Sequence, residues 1–463
     1  MSNVDASQSG PRFGSRPLSG TDSFWLRMDD PTNLMMINGV MLFDGSLDLE
    51  RLRSVVRERV LPIPRFRERV VIPERGAFRW EPCPGFDLDE HVVRERLPEP
   101  ADDATLRDVV SRKMSEPLDF GRPLWQFDVV ENYGKGSALI ARFHHCMGDG
   151  LGLMMVLLAM TDLEVEGAAA NPFLALFQSP GSGIEAARRK IEEIMPEGLS
   201  LLLKPFEALQ SLAWWERGAS SAVALARLVF RSADSRTMFN AELGVPKRAA
   251  WSDAIPMSDV AEVKDGLGAT VNDVLLTAMA GGIRRYLAER SGEAGCKDFR
   301  ATVPVSLRTL EELSALGNEF GLVYLTLPVQ IADPVERLAE LRRRMERLKR
   351  SAESIVSLRV MSIMGRLPAV AQKALVRMFA SKATAVMTNV PGPRQTLYLA
   401  GEPIRDLIFW VPRSARLSLG VSIFSYAGKV RMGVATDAGL IPDPEKIVEG
   451  FHHEFEAMRE LAR

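Results

Sequence analysis

The sequence predicts an α/β protein of two halves joined by a helical connector. Three observations carry that reading: the length, strand-like apolar runs alternating with helical stretches on either side of the middle, and a middle segment of different character. The 463 residues suffice for two or three domains at roughly 150 residues each, with a large core that needs neither disulfides nor metals. Hydrophobic residues at 46% and charged residues at 25% fit an ordinary globular chain and exclude extensive disorder, collagen-like repeats and a coiled-coil rod. Lys plus Arg number 58 against 60 Asp plus Glu, a net charge of −2. No global field therefore favours nucleic acid, and any basic surface must be local. Three cysteines, Cys83, Cys146 and Cys296, show no C-x-x-C spacing. They fit a reducing cytoplasm better than a disulfide framework and give no support for zinc.

Residues 1–16 are polar and rich in Ser and Gly, which predicts a disordered tail without the apolar stretch of a signal peptide. Residues 17–180 form the first α/β half. Its strands are read in Leu34 to Phe43, Leu124 to Val130 and Ala138 to His145, with a charged helix from Leu49 and an apolar helical run from Leu151 to Met160. Residues 181–248 are rich in Ala, Leu and Ser, are interrupted by Pro196, Pro205 and Gly218, and carry Trp214 and Trp215; they predict the connector. Residues 249–463 form the second half. A long apolar helix spans Asn272 to Leu287, strands fall at Ala301 to Val305 and Leu322 to Val329, and Asp333 and Pro334 open a basic helix. Strands at Leu417 to Phe424 and Val430 to Thr436 precede a C-terminal helix. No run of about 18 uncharged apolar residues offers a membrane-spanning helix, and surface attachment stays open.

Only five histidines occur in the chain, and His144 and His145 stand together at the end of ALIARFHH, before Cys-Met-Gly-Asp-Gly. Neighbouring side chains on a strand point to opposite faces. One imidazole can enter a cleft while the other turns into its own half, so the pair makes a poor joint metal site. A neutral imidazole, with an ordinary pKa of about 6.5, takes up and returns a proton at cellular pH and is the usual general base. A lone buried histidine is more often a satisfied core residue, but the turn and apolar helix that follow favour chemistry here. Gly148 and Gly150 suit a tight strand-to-helix turn and are candidate substrate-binding positions. Asp149 lies near the helix start, where a carboxylate is favoured, and two structural readings stand for it: an N-cap, or an ion pair with a buried arginine that fixes the turn and the direction of the histidine. Cys146 reads as a small core residue rather than a nucleophile, since adjacency in sequence does not set a thiol against an imidazole.

The stretch HHCMGDG resembles the H-H-x-x-x-D-G signature of the coenzyme A-dependent acyltransferase superfamily, shared with peptide-synthetase condensation domains and chloramphenicol acetyltransferase. Over residues 17–460 the chain resembles the bacterial wax ester synthase/diacylglycerol acyltransferase family. The segments that carry the resemblance are PLSGTDSFWL with PTNLMMINGVMLFDG, GRPLWQF, TVNDVLLTAMAGGIRRYL, RATVPVSLR, GNEFG and TNVPGPR, in the family's order. The resemblance implies two chloramphenicol-acetyltransferase-like lobes with mixed sheets flanked by helices, and a tunnel between them. It implies His145 as the catalytic base, supported by His144 and Asp149. It also implies acyl-CoA as a substrate, a long-chain alcohol or diacylglycerol as acceptor, a wax ester or triacylglycerol as product, and no cofactor or metal. Many relatives carry an Ala-Leu-Val type of filling where this chain has Cys-Met-Gly, a difference that touches tunnel shape or acceptor choice and not the base.

Four further positions carry two readings each. Asn272 either belongs to the cap of its helix, with Thr270 or Asn272 as N-cap, or by resemblance meets substrate near the tunnel. Asn389 either sits in a turn or shapes the cleft between lobes. Trp125 is read as core packing. The basic helix, with Arg342, Arg343, Arg344, Arg347, Lys349 and Arg350, is either a solvated face or a site for coenzyme A phosphates or an anionic bilayer. The connector, with Leu201 to Trp215, either lies on a membrane or lipid droplet or packs between the lobes. The expected location is cytoplasmic and peripheral, on the inner membrane surface or on lipid droplets. Two rival readings remain: a condensation-type acyltransferase with another acceptor or a carrier-bound donor, and a non-catalytic lipid-droplet protein.

Overall fold

The computed structural model describes residues 14–74, 76–165, 171–178, 184–195, 226, 228–308, 312, 316–349, 353–413 and 416–463. The sequence-predicted tail lies outside them except for residues 14–16. So does half of the connector, including Trp214 and Trp215, as does Arg350.

Two mixed sheets face each other. The first runs in the order Tyr398–Leu399, Glu402–Trp410, Met36–Phe43, Gly136–His144, Trp125–Tyr133, Val92–Arg96. Its central strand Met36–Phe43 is buried at all eight positions. A strand covered on both faces reads as a continuous apolar run rather than an alternation, as LMMINGVMLF does. The second sheet runs Phe320–Leu327, Phe299–Ser306, Ala385–Pro391, Leu419–Tyr426, Lys429–Asp437, Lys247–Trp251. The helices Val271–Ser291 and Glu445–Ala462 cover its outer face through Met279, Ile283, Phe451 and Phe455. Between the sheets, Val40, Ile140 and Trp410 of the first pack with Ala249, Trp251 and Ala435 of the second.

The two halves of the sequence do not map onto two self-contained lobes. Glu402–Trp410, from the C-terminal half, pairs antiparallel with Met36–Phe43 and so belongs to the first sheet. An apolar central strand needs a partner on each edge, and this segment supplies the one its own half lacks. Of the predicted connector, the described residues include the helix Ile184–Ile194, and Lys247 at its end pairs with Asp437 in the second sheet.

Candidate active site

The strand Gly136–His144 ends where one short helical turn, His145–Met147, hands over to the helix Gly150–Met160. Asp149 caps that helix: its Oδ1 accepts the Gly152 N–H at 2.8 Å. Its Oδ2 accepts the Glu319 N–H at 3.3 Å and lies 3.7 Å from Nε of the buried Arg308. Both structural readings of Asp149 therefore hold at once. Burial raises the Asp149 carboxyl above its ordinary value, opposed by Arg308 and two backbone N–H groups. Neither glycine of the turn uses glycine's special backbone freedom. Gly148 is extended, with φ 171 and ψ 164, and a Cβ on Gly150 would meet nothing within 4 Å. Gly150 instead borders a cavity, where the missing side chain leaves room.

The two imidazoles diverge. His144 turns into the first half, where its ring meets Phe120 edge-on. Its Nδ1 accepts the Cys146 N–H at 3.1 Å, so its proton sits on Nε2, which faces Asp29 Oδ1 at 3.5 Å. His145 enters the space between the sheets. It stacks on Trp25, with ring centroids 4.2 Å apart and planes 10° from parallel, and its Nδ1 lies 2.8 Å from Asn318 Oδ1. The Asn318 amide can take only one orientation, because its Nδ2 donates to two pure acceptors, Asp22 Oδ1 at 2.8 Å and the His145 carbonyl at 2.7 Å. Oδ1 must then accept, so Nδ1 of His145 carries the proton and Nε2 carries the lone pair. Burial pushes the His145 pKa down to about 4, with Asn318 pulling the other way. The ring is neutral at cellular pH.

Buried Arg65 holds this arrangement together. It donates to the carbonyls of Cys146 and Met147 at 3.3 and 3.0 Å, and to that of Leu316 at 3.2 Å. Its Nη1 also lies 3.5 Å from Asp22 Oδ2. One guanidinium thus ties the histidine turn to the 316–319 segment from the other half. Cys146 faces the core, fully buried, and burial raises its thiol pKa well above the ordinary range.

His145 lines a cavity walled mostly by carbon. Its sides come from Ile37, Gly39 and Met41, from Leu151, Met154 and Leu157 at one face of the apolar helix, and from Leu407 and Phe409. A second cavity shares Pro304 and Ser306 with the first and has a more polar lining that includes Asn272, Asn389, Lys264 and Arg394. Asn272 belongs to this second cavity and not to the histidine cavity. It follows Thr270, which forms a reciprocal cap with Asp273, and its Oδ1 accepts from Asn389 Nδ2 at 2.9 Å. Asn389 lies in the strand Ala385–Pro391, where the sequence favoured a turn. Arg342, Arg343, Arg344 and Arg347 of the basic helix border neither cavity: Arg342 donates to the Gly268 carbonyl, and Arg343 and Arg344 pair with Glu340. Trp125 is core, its indole N–H on the Phe66 carbonyl at 2.9 Å.

Sequence reasoning gave no role to Asp22, Trp25, Arg65, Arg308 or Asn318. All but Arg65 lie in segments quoted for the family resemblance.

Two facing mixed sheets, a histidine-bearing turn between them and flanking helices define the chloramphenicol-acetyltransferase-like class of two-lobed acyltransferases. The same architecture is found in the first condensation domain of the calcium-dependent antibiotic synthetase, with a TM-score of 0.60 at 14% identity over 97% of this chain and 96% of that one. Residues 18–275 match the wax ester synthase/diacylglycerol acyltransferase catalytic domain and residues 316–459 match the WS/DGAT C-terminal domain. The chain belongs to the wax ester synthase/diacylglycerol acyltransferase family and is an acyltransferase. It is 28% identical over 447 residues, 94% of this chain and 93% of the relative, to a Mycobacterium tuberculosis protein named as a probable diacylglycerol O-acyltransferase. The wax ester synthase/diacylglycerol acyltransferase of Marinobacter aquaeolei VT8 shares the fold, with a TM-score of 0.69 at 22% identity over 96% of this chain and 99% of that one.

Proposed function

We propose that the enzyme moves a fatty acyl group from acyl-CoA to the hydroxyl of a long-chain alcohol or diacylglycerol, making a wax ester or triacylglycerol with His145 as general base. One observation carries the role of His145: a neutral imidazole with its Nδ1 proton held by Asn318, in an apolar cavity between the sheets. In this reading Nε2 takes the hydroxyl proton as the oxygen attacks the thioester carbonyl, and a tetrahedral oxyanion forms. The carbon–sulfur bond then breaks, the thiolate takes the proton back from the imidazolium, and ester and free coenzyme A leave. Asp22, behind Asn318, supplies the negative charge that favours the transient imidazolium through the amide dipole.

The carbon walls suit hydrocarbon chains, whose transfer from water is favourable at about 25 cal/mol per Å² buried. The second cavity, with Lys264 and Arg394 among its lining residues, suits the anionic donor. In this reading the acyl carbonyl reaches His145 past Pro304 and Ser306, which border both spaces. Because acceptor and product are nearly insoluble in water, the enzyme works as a peripheral protein on the cytoplasmic face of the membrane or on lipid droplets. Purified protein with labelled palmitoyl-CoA and a panel of alcohols and diacylglycerols tests the reading. Labelled ester from wild type, and at least about a hundredfold less from His145→Ala, is the expected result. Release of coenzyme A without any ester would overturn it.

A further inference from the structure

The helices Glu353–Met364 and Ala369–Ala380 form a hairpin against the helix Gly20–Met28, which carries Asp22 and Trp25. The contact is close: a Cβ on Gly365 would fall 1.6 Å from the Gly20 carbonyl oxygen, so only glycine fits at that position. Arg27 donates from the same helix to the carbonyls of Gly365 and Leu367 and to Gln372 Oε1. The hairpin is therefore joined to the element on which the His145 ring stacks.

Its outer face is basic and apolar together. Arg359 and Ile363, at i and i+4 of the first helix, and Arg366, in the turn that follows it, are exposed, as are Val370, Ala374 and Arg377 at i, i+4 and i+7 along the second. Ile363 is 61% and Val370 84% exposed. Residues 354–401 contain no Asp or Glu, in a chain whose net charge is −2. Beneath the hairpin, Met361, Met364, Val376 and Phe379 line an apolar chamber. Trp25 and Leu322 border both this chamber and the histidine cavity. Among the described residues no single helix is long and apolar enough to cross a membrane.

We propose that this hairpin docks on an anionic phospholipid surface, resting on the reading above that the acceptor is an apolar lipid. Exposed aliphatic side chains flanked by arginines suit the headgroup boundary of a bilayer, where the cations meet anionic lipid and the apolar groups enter the acyl region. Docking there sets the apolar chamber against the lipid phase and leaves a short carbon-lined route, past Trp25 and Leu322, to His145.

The test is flotation of the full chain with vesicles of phosphatidylcholine containing phosphatidylglycerol, and with vesicles of phosphatidylcholine alone. Wild type floats with the first and much less with the second. Two combined variants, Arg359→Glu/Arg366→Glu/Arg377→Glu and Ile363→Ser/Val370→Ser, keep the wild-type circular dichroism and turnover of detergent-dispersed acceptor. The charge reversal lowers vesicle binding by at least about tenfold, and the serine pair lowers it as well. Wild-type protein that ignores phosphatidylglycerol, or variants that bind as wild type does, would overturn the proposal. The second outcome would place lipid contact elsewhere, for instance on the segment with Trp214 and Trp215. Flotation does not depend on turnover: His145→Ala floats like wild type, so absence of acyl transfer in every assay would sink the catalytic reading and leave the docking result standing.

Discussion

His144 and His145 are consecutive residues, yet their surroundings fix opposite tautomers. On the packed side, a backbone N–H from Cys146 occupies Nδ1 of His144, and the proton on Nε2 faces Asp29. On the cavity side, Asn318 holds the Nδ1 proton of His145, and Nε2 is left bare. The pleat alone separates the two rings. What makes one of them a base is the second half of the chain, which sends Asn318 across to one ring and, among the described residues, nothing equivalent to the other. A histidine pair is thus a single chemical device built from one spacer and one base.

Substitutions that erase or exchange these surroundings sharpen the contrast. His145→Ala should lower acyl transfer by about 10² to 10⁴-fold, the usual worth of general base catalysis, while thermal unfolding stays close to wild type. The pH profile of kcat/KM should separate the environments as clearly. Burial lowers the His145 pKa to about 4, so the neutral, active form persists as pH falls. Rates at pH about 4.5 should stay within about twofold of those at pH 8, where a base with the ordinary pKa of about 6.5 would lose about a hundredfold.

Asn318→Leu removes the partner of Nδ1 and should cost about 10- to 100-fold in kcat, the equivalent of one hydrogen bond to a charged group, with KM little changed. A change in KM alone, or an unchanged kcat, would break the link between tautomer and turnover. His144→Ala should instead cost about 1–3 kcal/mol of stability, by leaving a buried N–H unpaired, with turnover within about tenfold of wild type. Smallest of all, Cys146→Ala should leave turnover unchanged. Intact-protein mass spectrometry after incubation with acyl-CoA alone should show no acyl adduct, because a buried thiol with a raised pKa yields little thiolate.

Much of this was legible in the sequence because it is local. The strands, the apolar helix after the histidine turn, Thr270 as one of two candidate caps and the divergence of the two histidines all follow from spacing within a few residues. The partners of His145 and Asp149 were not. Asn318 is 173 residues from His145 in the chain and 296 from Asp22. Arg308 meets Asp149 only because Phe299–Ser306 and Phe320–Leu327 form a hairpin that leads to the histidine turn. Asn318 did stand in GNEFG, a segment singled out by resemblance, but a lone asparagine carries no periodic signal. The transfer of Glu402–Trp410 into the first sheet was hidden for the same reason: strand composition shows burial and does not name the neighbour.

The tautomers themselves are the most direct measurement. With five histidines in the chain, ¹⁵N NMR of histidine-labelled protein at neutral pH can be assigned by single substitutions. The expected spectrum has His145 protonated at Nδ1 with a bare Nε2, and His144 protonated at Nε2 with a bare Nδ1. A His145 that carries its proton on Nε2, or is positively charged at that pH, would contradict Nε2 as the group that takes the acceptor's proton.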